Sequence, residues 1–456
     1  MNPDPATTIT LIDAYLARLF PLCRSLTGDG NRQTLRILSE QVALNIHEIP
    51  CGETVFDWTV PEEWNITEAW IKNPAGDKVV DFADSNLHVL NYSTPIRGTF
   101  SFAELRPHLH TLPARPKAIP YRTSYYKRDW GFCLSQAAFD RLDQTARYEV
   151  LIDSSLNPRG SLTLADQIHR GSSAQEILLS TYCCHPSLAN DNLSGLLLSV
   201  LLFRHIAQRP TRYTYRLVVV PETIGVIAYL ARFQAEIRNV IGGAVITTVG
   251  GPGNFGLKSS FDPASVVERA ARLTLEQAGP GWIDYPFVPD GSDERQYSSP
   301  GFRIPTITIC KDKYYEYPEY HTSDDNLVFM KAENLFATLQ LYVRWFECLE
   351  MNAVYRRTNP HGEYQLGKRG LFPNLGGSIN QQAGRLPNET VKTKRYSLDD
   401  LDEVTGGDLD AIGWIMFGCD GETDLVTLAK RSKLGLPLLH KVARRLQRHD
   451  LLTLVN

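Results

Sequence analysis

The stretch TYCCHPSLANDNLSG, residues 181–195, gives the clearest indication of the fold. It follows the apolar run EILLS and precedes LLLSVLLF, so a buried strand is expected to end here and a helix to begin. His185 and Asp191 lie in the connection between them. Functional groups of open α/β sheets gather at the carboxyl ends of strands, so an imidazole and a carboxylate at this position indicate a candidate site.

Strand and helix patterns alternate from residue 146 to about residue 350. The predicted strands are YEVLIDSSL, EILLSTYC, YRLVVVP, GGAVITTVG and PTITIC, and several are nearly continuous apolar runs, as expected for strands covered on both faces. Helical patterns such as SGLLLSVLLFRHIAQ and NLFATLQLYVRWFECLE lie between or after them. This order predicts an α/β fold, a three-layer core with a mixed sheet.

The chain is long enough for two or three domains. Residues 1–45 and 136–355 are predicted to form the α/β core. Residues 46–135 contain short β-branched and aromatic segments separated by Pro, Gly, Asp and Asn, which predicts a small β-rich inserted domain. Residues 356–395 are rich in Gly, Pro and Asn and predict a linker. Residues 396–456 show three short helical patterns and an extended end, which predicts a winged-helix module.

Composition excludes some classes of function. Hydrophobic residues make up 43% and charged residues 21% of the chain, and a net charge of −4 gives no support to a large nucleic-acid surface or to binding of anionic membranes. No apolar run approaches the ~20 residues that span a bilayer, and MNPDPATTIT lacks the pattern of a secretory signal. Eight cysteines are too few for a disulfide framework, so reduced thiols in a cytoplasmic protein are expected.

Four polar stretches follow predicted strands: CHPSLANDN, PETIG (221–225), PDGSDERQY (289–297) and PEYHTSDDN (318–326). Together they carry His185, Asp191, Glu222, Asp290, Asp293, Glu294, His321, Asp324 and Asp325. Imidazole and carboxylate are the ligands of a zinc ion that keeps an open position. Such an ion activates water near neutral pH, and a free carboxylate takes its proton. One histidine at a strand end is usually structural, but four such stretches in one domain favour a metal site.

These motifs resemble those of the zinc aminopeptidases, which include the leucyl aminopeptidases and the glutaminyl-cyclase fold. Residues 191–195 resemble their Asp-Asn-x-Ser-Gly, residues 222–225 their Glu-Glu-x-Gly, residues 292–293 their Ser-Asp-His, and residues 321–325 their His-Thr-x-x-Asp, in the same order. The whole chain resembles a group of bacterial aminopeptidase-like proteins of unknown function, some of them associated with polysaccharide biosynthesis. That group carries a β-rich insertion and a C-terminal winged helix, and VFDWTVPEEWNI and YQLGKRGLFP are similar to its sequences.

The sequence departs from the aminopeptidase pattern at two positions. The resemblance implies two zinc ions that share Asp191, each held by a further carboxylate. Thr223 stands where the second glutamate of Glu-Glu is expected, and Thr247 where a later strand would supply an aspartate. Each ion would therefore lose one carboxylate ligand.

The remaining metal ligands are His185, Asp191 and His321, enough for one catalytic zinc ion. We therefore expect one ion rather than two. Glu222 matches the general-base position, where it would take a proton from water. The alternative is that Glu222 itself ligates the metal.

Five further residues are candidates for substrate binding: Asp293, Glu294, Arg295, Tyr125 and Tyr126. Arg295 could hold a substrate carboxylate through its planar fork, or form a structural pair with an aspartate. The two tyrosines belong to an aromatic cluster in the insertion with Tyr121, Trp130 and Phe132, which forms either a core or the wall of a pocket. Of the adjacent Cys183 and Cys184 at most one could face the site, and packing is the favoured interpretation for both.

The leading hypothesis is a zinc-dependent hydrolase of aminopeptidase type that cleaves an amide in a small peptide-like, aminated or glycan-linked molecule. One alternative is an inactive scaffold or regulatory protein that acts through the winged helix, and another is an acyl-transfer or cyclisation enzyme on the same metal site. The helix KVARRLQRH carries Lys441, Arg444, Arg445 and Arg448. Surrounding acidic residues favour a solvated face on a module for protein partners or self-association over DNA binding, and no membrane partner is expected.

Overall fold

A computed structural model describes residues 4–371 and 406–455 of the chain. The chain divides into two compact units, Met1–Arg344 and Trp345–Asn456. The division falls within a long helix, whereas the sequence predicted that the core ends at residue 355. Among the described residues, no helix combines the length and the apolar character that crossing a bilayer requires.

The first unit contains sixteen strands among its described residues. They are β1 (Asn45–Pro50), β2 (Thr54–Val55), β3 (Trp58–Thr59), β4 (Glu63–Lys72), β5 (Lys78–Asp81), β6 (Ile96–Ser101), β7 (Leu109–His110), β8 (Phe132–Cys133), β9 (Arg147–Asn157), β10 (Ser161–His169), β11 (Glu176–Tyr182), β12 (Thr214–Val220), β13 (Val240–Val245), β14 (Phe255–Lys258), β15 (Ile283–Tyr285) and β16 (Thr306–Lys311).

The described helices of this unit include those predicted between the strands of residues 146–350. They are α1 (Pro5–Leu19), α2 (Asp29–Leu38), α3 (Phe102–Leu105), α4 (Gln136–Phe139), α5 (Gly195–Ala207), α6 (Ile224–Arg232), α7 (Val266–Ala278) and α8 (Glu294–Tyr297), and α9 (Ala332–Met351) runs across the division between the units. Helix α5 is apolar on nearly all sides and almost wholly buried, as its sequence indicates.

Eight strands form the central sheet in the order β1-β10-β12-β11-β13-β16-β14-β15. The four strands β12, β11, β13 and β16 are mutually parallel, whereas β1, β10 and β14 pair antiparallel with their inner neighbours. Every residue of β11 and of β12 is buried, which is why both are rich in apolar residues. The predicted α/β fold with a mixed sheet is confirmed.

A second, four-stranded antiparallel sheet has the order β5-β4-β9-β6. Its core includes Ile71, Val80, Val150 and Ile152. Strand β9 lies beyond residue 135, where the sequence predicted the insertion to end, and YEVLIDSSL was wrongly assigned to the core. Strand β9 pairs with β4 and β6, and its residues alternate between buried and exposed, the pattern of a strand in a sheet that is covered on one face.

The second unit contains β17 (Val354–Arg357), α10 (Gly406–Gly418), β18 (Asp420–Asp424), α11 (Leu425–Ser432), α12 (Leu436–Arg448) and β19 (Leu452–Leu454). The three strands among its described residues form an antiparallel sheet in the order β18-β17-β19. The predicted linker, 356–395, begins inside β17, and most of it lies outside the described residues, as does the start of the 396–456 module. Assignment of these elements to a winged helix stays a prediction.

Helix α12 is amphipathic. It buries Leu439, Val442 and Leu446, whereas Arg444 and Arg448 are exposed. The exposed arginines therefore lie on the face of the helix opposite its packed side.

Candidate functional site

Three of the predicted metal ligands meet beyond the carboxyl ends of the central parallel strands. His185 and Asp191 lie in the connection between β11 and α5, and His321 lies after β16. Nε2 of His321 is 2.9 Å from Oδ2 of Asp191, and Nε2 of His185 is 4.0 Å from the same oxygen. Ligand atoms of all three residues lie within 4.8 Å of one another. The structure therefore brings His321 to Asp191, from which it is separated by 130 positions in the chain.

Asp191 is fully buried, and its two carboxylate oxygens have different partners. Oδ2 faces the histidines, whereas Oδ1 accepts a 2.5 Å hydrogen bond from the Tyr182 hydroxyl. Burial opposes the charge of Asp191, but His185 and the hydrogen bond from His321 outweigh it and lower the pKa of Asp191 to about 2. The carboxylate is therefore ionised, with one oxygen directed at the imidazoles.

Asp325 holds the backbone that carries Asp191. Its two carboxylate oxygens accept hydrogen bonds from the backbone N–H groups of Asn190 (2.6 Å) and Asp191 (3.0 Å), and the Tyr317 hydroxyl donates to Oδ2 at 3.0 Å. Burial raises the pKa of Asp325 to about 7. The sequence grouped Asp325 with the possible ligands, but its contacts are those of a residue that positions Asp191.

His185 is buried at the strand end and is held from both sides. The Arg24 guanidinium donates to its backbone carbonyl at 2.8 Å, and Sγ of Cys184 is 3.7 Å from its Nδ1. Burial lowers the pKa of His185 to about 4, which leaves the neutral imidazole that ligates metals. Of the two adjacent cysteines, it is Cys184 that lies beside the site.

His321 is held by the β-rich insertion. The backbone N–H of Tyr121 donates to the His321 carbonyl at 2.8 Å, and Pro120 forms a β-bridge with Thr322. The Tyr320 ring stacks on the imidazole with 3.9 Å between centroids. His321 has a φ of 53°, in the left-handed region that non-glycine residues seldom adopt, and such strain is typical of functional sites.

Glu222 lies next to the three ligands. Its Oε1 accepts a 3.0 Å hydrogen bond from the Ser292 hydroxyl, whereas Oε2 is 3.9 Å from Nε2 of His185. Burial, together with the charges of Asp293 and Asp191, raises the pKa of Glu222 well above its usual range. Cys184, His185 and Glu222 also offer ligand atoms within 4.8 Å of one another, so geometry permits the alternative in which Glu222 binds the metal.

The stretch 289–297 reaches the site by a different route from the one predicted. It follows β15, which pairs parallel with β14 and therefore runs against the central strands. The loop contacts the site through Ser292 and through Asp293, whose Oδ1 accepts a 2.7 Å hydrogen bond from the Thr223 backbone N–H. Burial raises the pKa of Asp293 to about 7. Asp293 thus holds the turn that follows Glu222.

The sequence indicated Glu294 as a candidate for substrate binding, but its side chain has structural partners. It is buried and forms an ion pair with Lys258, itself buried, and the Tyr314 hydroxyl donates to the same oxygen at 2.7 Å. A buried ion pair of this kind fixes the loop to β14. Arg295 instead donates to Oγ1 of Thr223 at 3.2 Å, beside Glu222.

The aromatic cluster of the insertion divides between the two expected roles. Phe132 is fully buried and Trp130 packs beside it in the core of the insertion. Tyr121 lies edge-on to both His185 and His321, at 5.2 and 5.1 Å between ring centroids. Tyr125 and Tyr126 are exposed to 46% and 44% and stack on each other.

Sequence reasoning missed Tyr182, the residue that contacts Asp191 most closely. Its hydroxyl also lies 2.6 Å from Oγ1 of Thr247, the position where an aspartate was expected. The usable signal was its place: Tyr182 is the last residue of β11, three residues before His185. Tyr320, which stacks on His321, was missed although it directly precedes that residue.

The donor set fits a zinc ion. Two imidazoles and one carboxylate are the ligands of many catalytic zinc sites, which leave one position for water or substrate. Asp191 is a buried carboxylate whose neighbours in the described part of the chain are imidazoles and a hydroxyl, without lysine or arginine. Buried charges are normally paired or bound to a metal, so a cation would complete this cluster.

The mixed α/β sheet matches the fold of aminopeptidase-like proteins. Residues 13–352 match the family described as "Domain of unknown function (DUF4910)", and the chain belongs to this family. It is 39% identical over 440 residues to a Clostridium acetobutylicum protein named "Putative polysaccharide biosynthesis protein with aminopeptidase-like domain", a match that covers 96% of this chain and 95% of the relative.

Solved structures agree with this assignment. The crystal structure of a "putative peptidase" from Clostridium acetobutylicum superimposes with a TM-score of 0.86 at 38% identity and covers 99% of this chain and 97% of its own. A zinc aminopeptidase from Bacillus subtilis matches with a TM-score of 0.55 at 11% identity, over 76% of this chain and 95% of its own, a likeness of fold alone. The resemblance to aminopeptidase-like proteins is thus confirmed.

Proposed function

We propose that the protein is a zinc-dependent hydrolase of aminopeptidase type that cleaves an amide bond. The observation that carries this proposal is the meeting of His185, Asp191 and His321 beside the carboxylate of Glu222, with ligand atoms within 4.8 Å. Membership of a family with peptidase-like relatives supports it. The rival hypothesis, an inactive scaffold, leaves this arrangement of buried polar groups without a purpose.

His185, Asp191 and His321 would hold the ion. When bound, zinc supplies Lewis acidity, which polarises the amide carbonyl and lowers the pKa of water. Glu222 accepts the proton of that water at Oε2, because Oε1 is engaged by Ser292. Water gives its hydroxyl to the acyl carbon as the C–N bond breaks, and Glu222 passes the proton to the departing nitrogen, which leaves as an amine.

Hydrogen bonds around Asp191 support one ion rather than two. Oδ1 of Asp191 accepts from Tyr182, whose hydroxyl also contacts Thr247, so that oxygen is engaged on the side away from His321. The hydroxyl of Thr223 likewise accepts from Arg295. The two positions at which carboxylate ligands were expected therefore carry neutral groups that take part in hydrogen bonds.

Substrate and location are proposed from less direct observations. A small peptide-like, aminated or glycan-linked amide suits the site, and a relative named for polysaccharide biosynthesis favours the last of these. All eight cysteines lie among the described residues and are free thiols, which supports a cytoplasmic location. The C-terminal module is proposed to bind protein partners or a second copy of the chain, with nucleic acid not expected.

Removal of the metal tests the proposal. Treatment with a zinc chelator is expected to abolish hydrolysis of aminoacyl-p-nitroanilides or N-acylated amino sugars, and one equivalent of zinc should restore it, because the three ligands form one site. The measurement is the initial rate against zinc added per chain. Full activity of metal-free protein would contradict the proposal, and tight zinc binding without turnover of either substrate class would favour the scaffold.

A further inference from the structure

Four exposed aromatic side chains form a surface beside the proposed metal site. We call this surface the aromatic platform, and its residues are Trp58, Tyr125, Tyr126 and Tyr315. Their exposed fractions are 37%, 46%, 44% and 64%. Trp58 meets Tyr126 edge-on at 5.4 Å between centroids, and Tyr125 stacks on Tyr126 at 6.2 Å. So much exposed aromatic surface costs hydration free energy and indicates a binding surface when it adjoins a site.

The platform is continuous with the proposed metal ligands. Tyr315 packs edge-on against Tyr320 at 5.1 Å, and Tyr320 stacks on His321 at 3.9 Å. On the insertion side, the chain that carries Tyr125 is tied to the His321 loop four residues earlier, at Tyr121. Burial and then the charge of Glu222 raise the pKa of both Tyr125 and Tyr315, so both rings lie within electrostatic reach of Glu222.

Two residues of the aromatic platform have a strained backbone. Tyr125 has a φ of 48° and Tyr315 a φ of 67°, both in the left-handed region that bulky residues avoid. Tyr125 is 46% and Tyr315 64% exposed, so burial of the two rings does not offset the strain. Backbone strain is kept where it serves a function, and Thr223 and His321 of the same site share it, with φ values of 64° and 53°.

The chemistry of the platform selects its ligand. Tyrosine and tryptophan rings offer an apolar face and a polar edge. A pyranose ring has the matching form, because its C–H groups make an apolar face and its hydroxyls a polar rim. An amino-acid side chain would instead favour an enclosed apolar pocket, whereas these four residues are all aromatic and open to solvent.

We propose that the aromatic platform binds a pyranose ring of an N-acylated amino sugar, which places the neighbouring amide at the His185–Asp191–His321 site. This inference rests on the proposed hydrolase function, because the sugar is taken as part of its substrate. It adds a substrate class and names Tyr125 and Tyr315 as specificity-determining residues.

Binding measured by isothermal titration calorimetry on the full chain tests the inference. The probes are a panel of N-acetylated hexosamines and their disaccharides, with L-leucinamide and L-phenylalaninamide as peptide-like competitors. Tyr125→Ala and Tyr315→Ala are each expected to weaken saccharide binding about tenfold, whereas Tyr125→Phe keeps the ring and should bind within about twofold of wild type. Phe417→Ala is the matched control, since it removes a ring that is 80% exposed in the other unit.

The inference would be overturned if no saccharide in the panel bound, or if both alanine variants retained saccharide binding. Preference for the amino-acid amides through the same tyrosines would also overturn it and indicate a peptide substrate. Binding needs no turnover, so a protein that binds sugar through Tyr125 but never hydrolyses an amide would contradict the proposed function alone.

Discussion

Glu222→Gln is expected to lower kcat by about 10²–10⁴-fold while the zinc content stays at the wild-type level. Glutamine has the shape of glutamate, and its amide oxygen can accept the hydrogen bond that Ser292 donates to Oε1. It cannot accept a proton at the position of Oε2, which faces His185. The change therefore removes the proposed base and little else.

The measurement is kcat on a substrate that wild type hydrolyses, together with zinc per chain from elemental analysis. Glu316→Gln is the control, because it neutralises an exposed carboxylate that pairs with Lys313. A Glu222→Gln protein with wild-type kcat would contradict the general-base role. If the variant lost its zinc instead, Glu222 would be a ligand, as the Cys184–His185–Glu222 grouping permits.

His185→Ala is expected to weaken zinc binding by more than about 100-fold and to abolish hydrolysis. Changes to residues that only orient a ligand already cost about 10–100-fold in metal affinity, and His185 is proposed to contact the ion itself. Loss of one ligand would leave Asp191 and His321, which hold the ion less tightly. The imidazole is buried, so solvent cannot fill its position as readily as at the surface.

Competition against a zinc-binding dye gives the affinity, and thermal unfolding of the metal-free proteins shows whether the fold survives. His47→Ala is the control, because His47 pairs with Asp166 in the part of the sheet formed by β1 and β10. The zinc affinity of Asp325→Asn is expected to lie between those of His185→Ala and His47→Ala, since Asp325 holds the backbone of the proposed ligand Asp191. Unchanged zinc affinity in His185→Ala would contradict the proposed ligand set.

The sequence predicted the residues that meet at the site better than the surface around them. His185, Asp191, Glu222 and His321 could be inferred because short motifs end successive strands, and parallel strands bring their carboxyl ends to one edge. Chain order and strand direction are therefore enough to place these four residues at one edge. The roles of these residues stay predictions, although their proximity is now described.

Strand pairing and the side-chain contacts around the site could not be predicted, because no local sequence pattern encodes them. Strand β9 was assigned to the wrong sheet because YEVLIDSSL reads as a strand but does not show its partner. The direction of β15 was likewise hidden, so the route of Ser292 to Glu222 was not foreseen. Tyr182 was read as a strand residue, since nothing in the sequence shows that its hydroxyl meets Asp191.

The position of Tyr315 in the aromatic platform could not be predicted from the sequence either. It lies far along the chain from Tyr125, and only the fold brings both near Glu222. Glu294 was predicted to contact a ligand because of its charge, but it is buried and pairs with Lys258, which gives it a structural role. Side-chain type predicted the possible chemistry, and burial decided which groups remain available for it.

An anomalous difference map, recorded at the zinc absorption edge from crystals of the zinc-reconstituted protein, tests the central claim most directly. A single peak per chain is expected, within about 2.0–2.2 Å of one nitrogen each of His185 and His321 and one oxygen of Asp191. A map with no peak among these three side chains, or with two peaks that share Asp191, would contradict it.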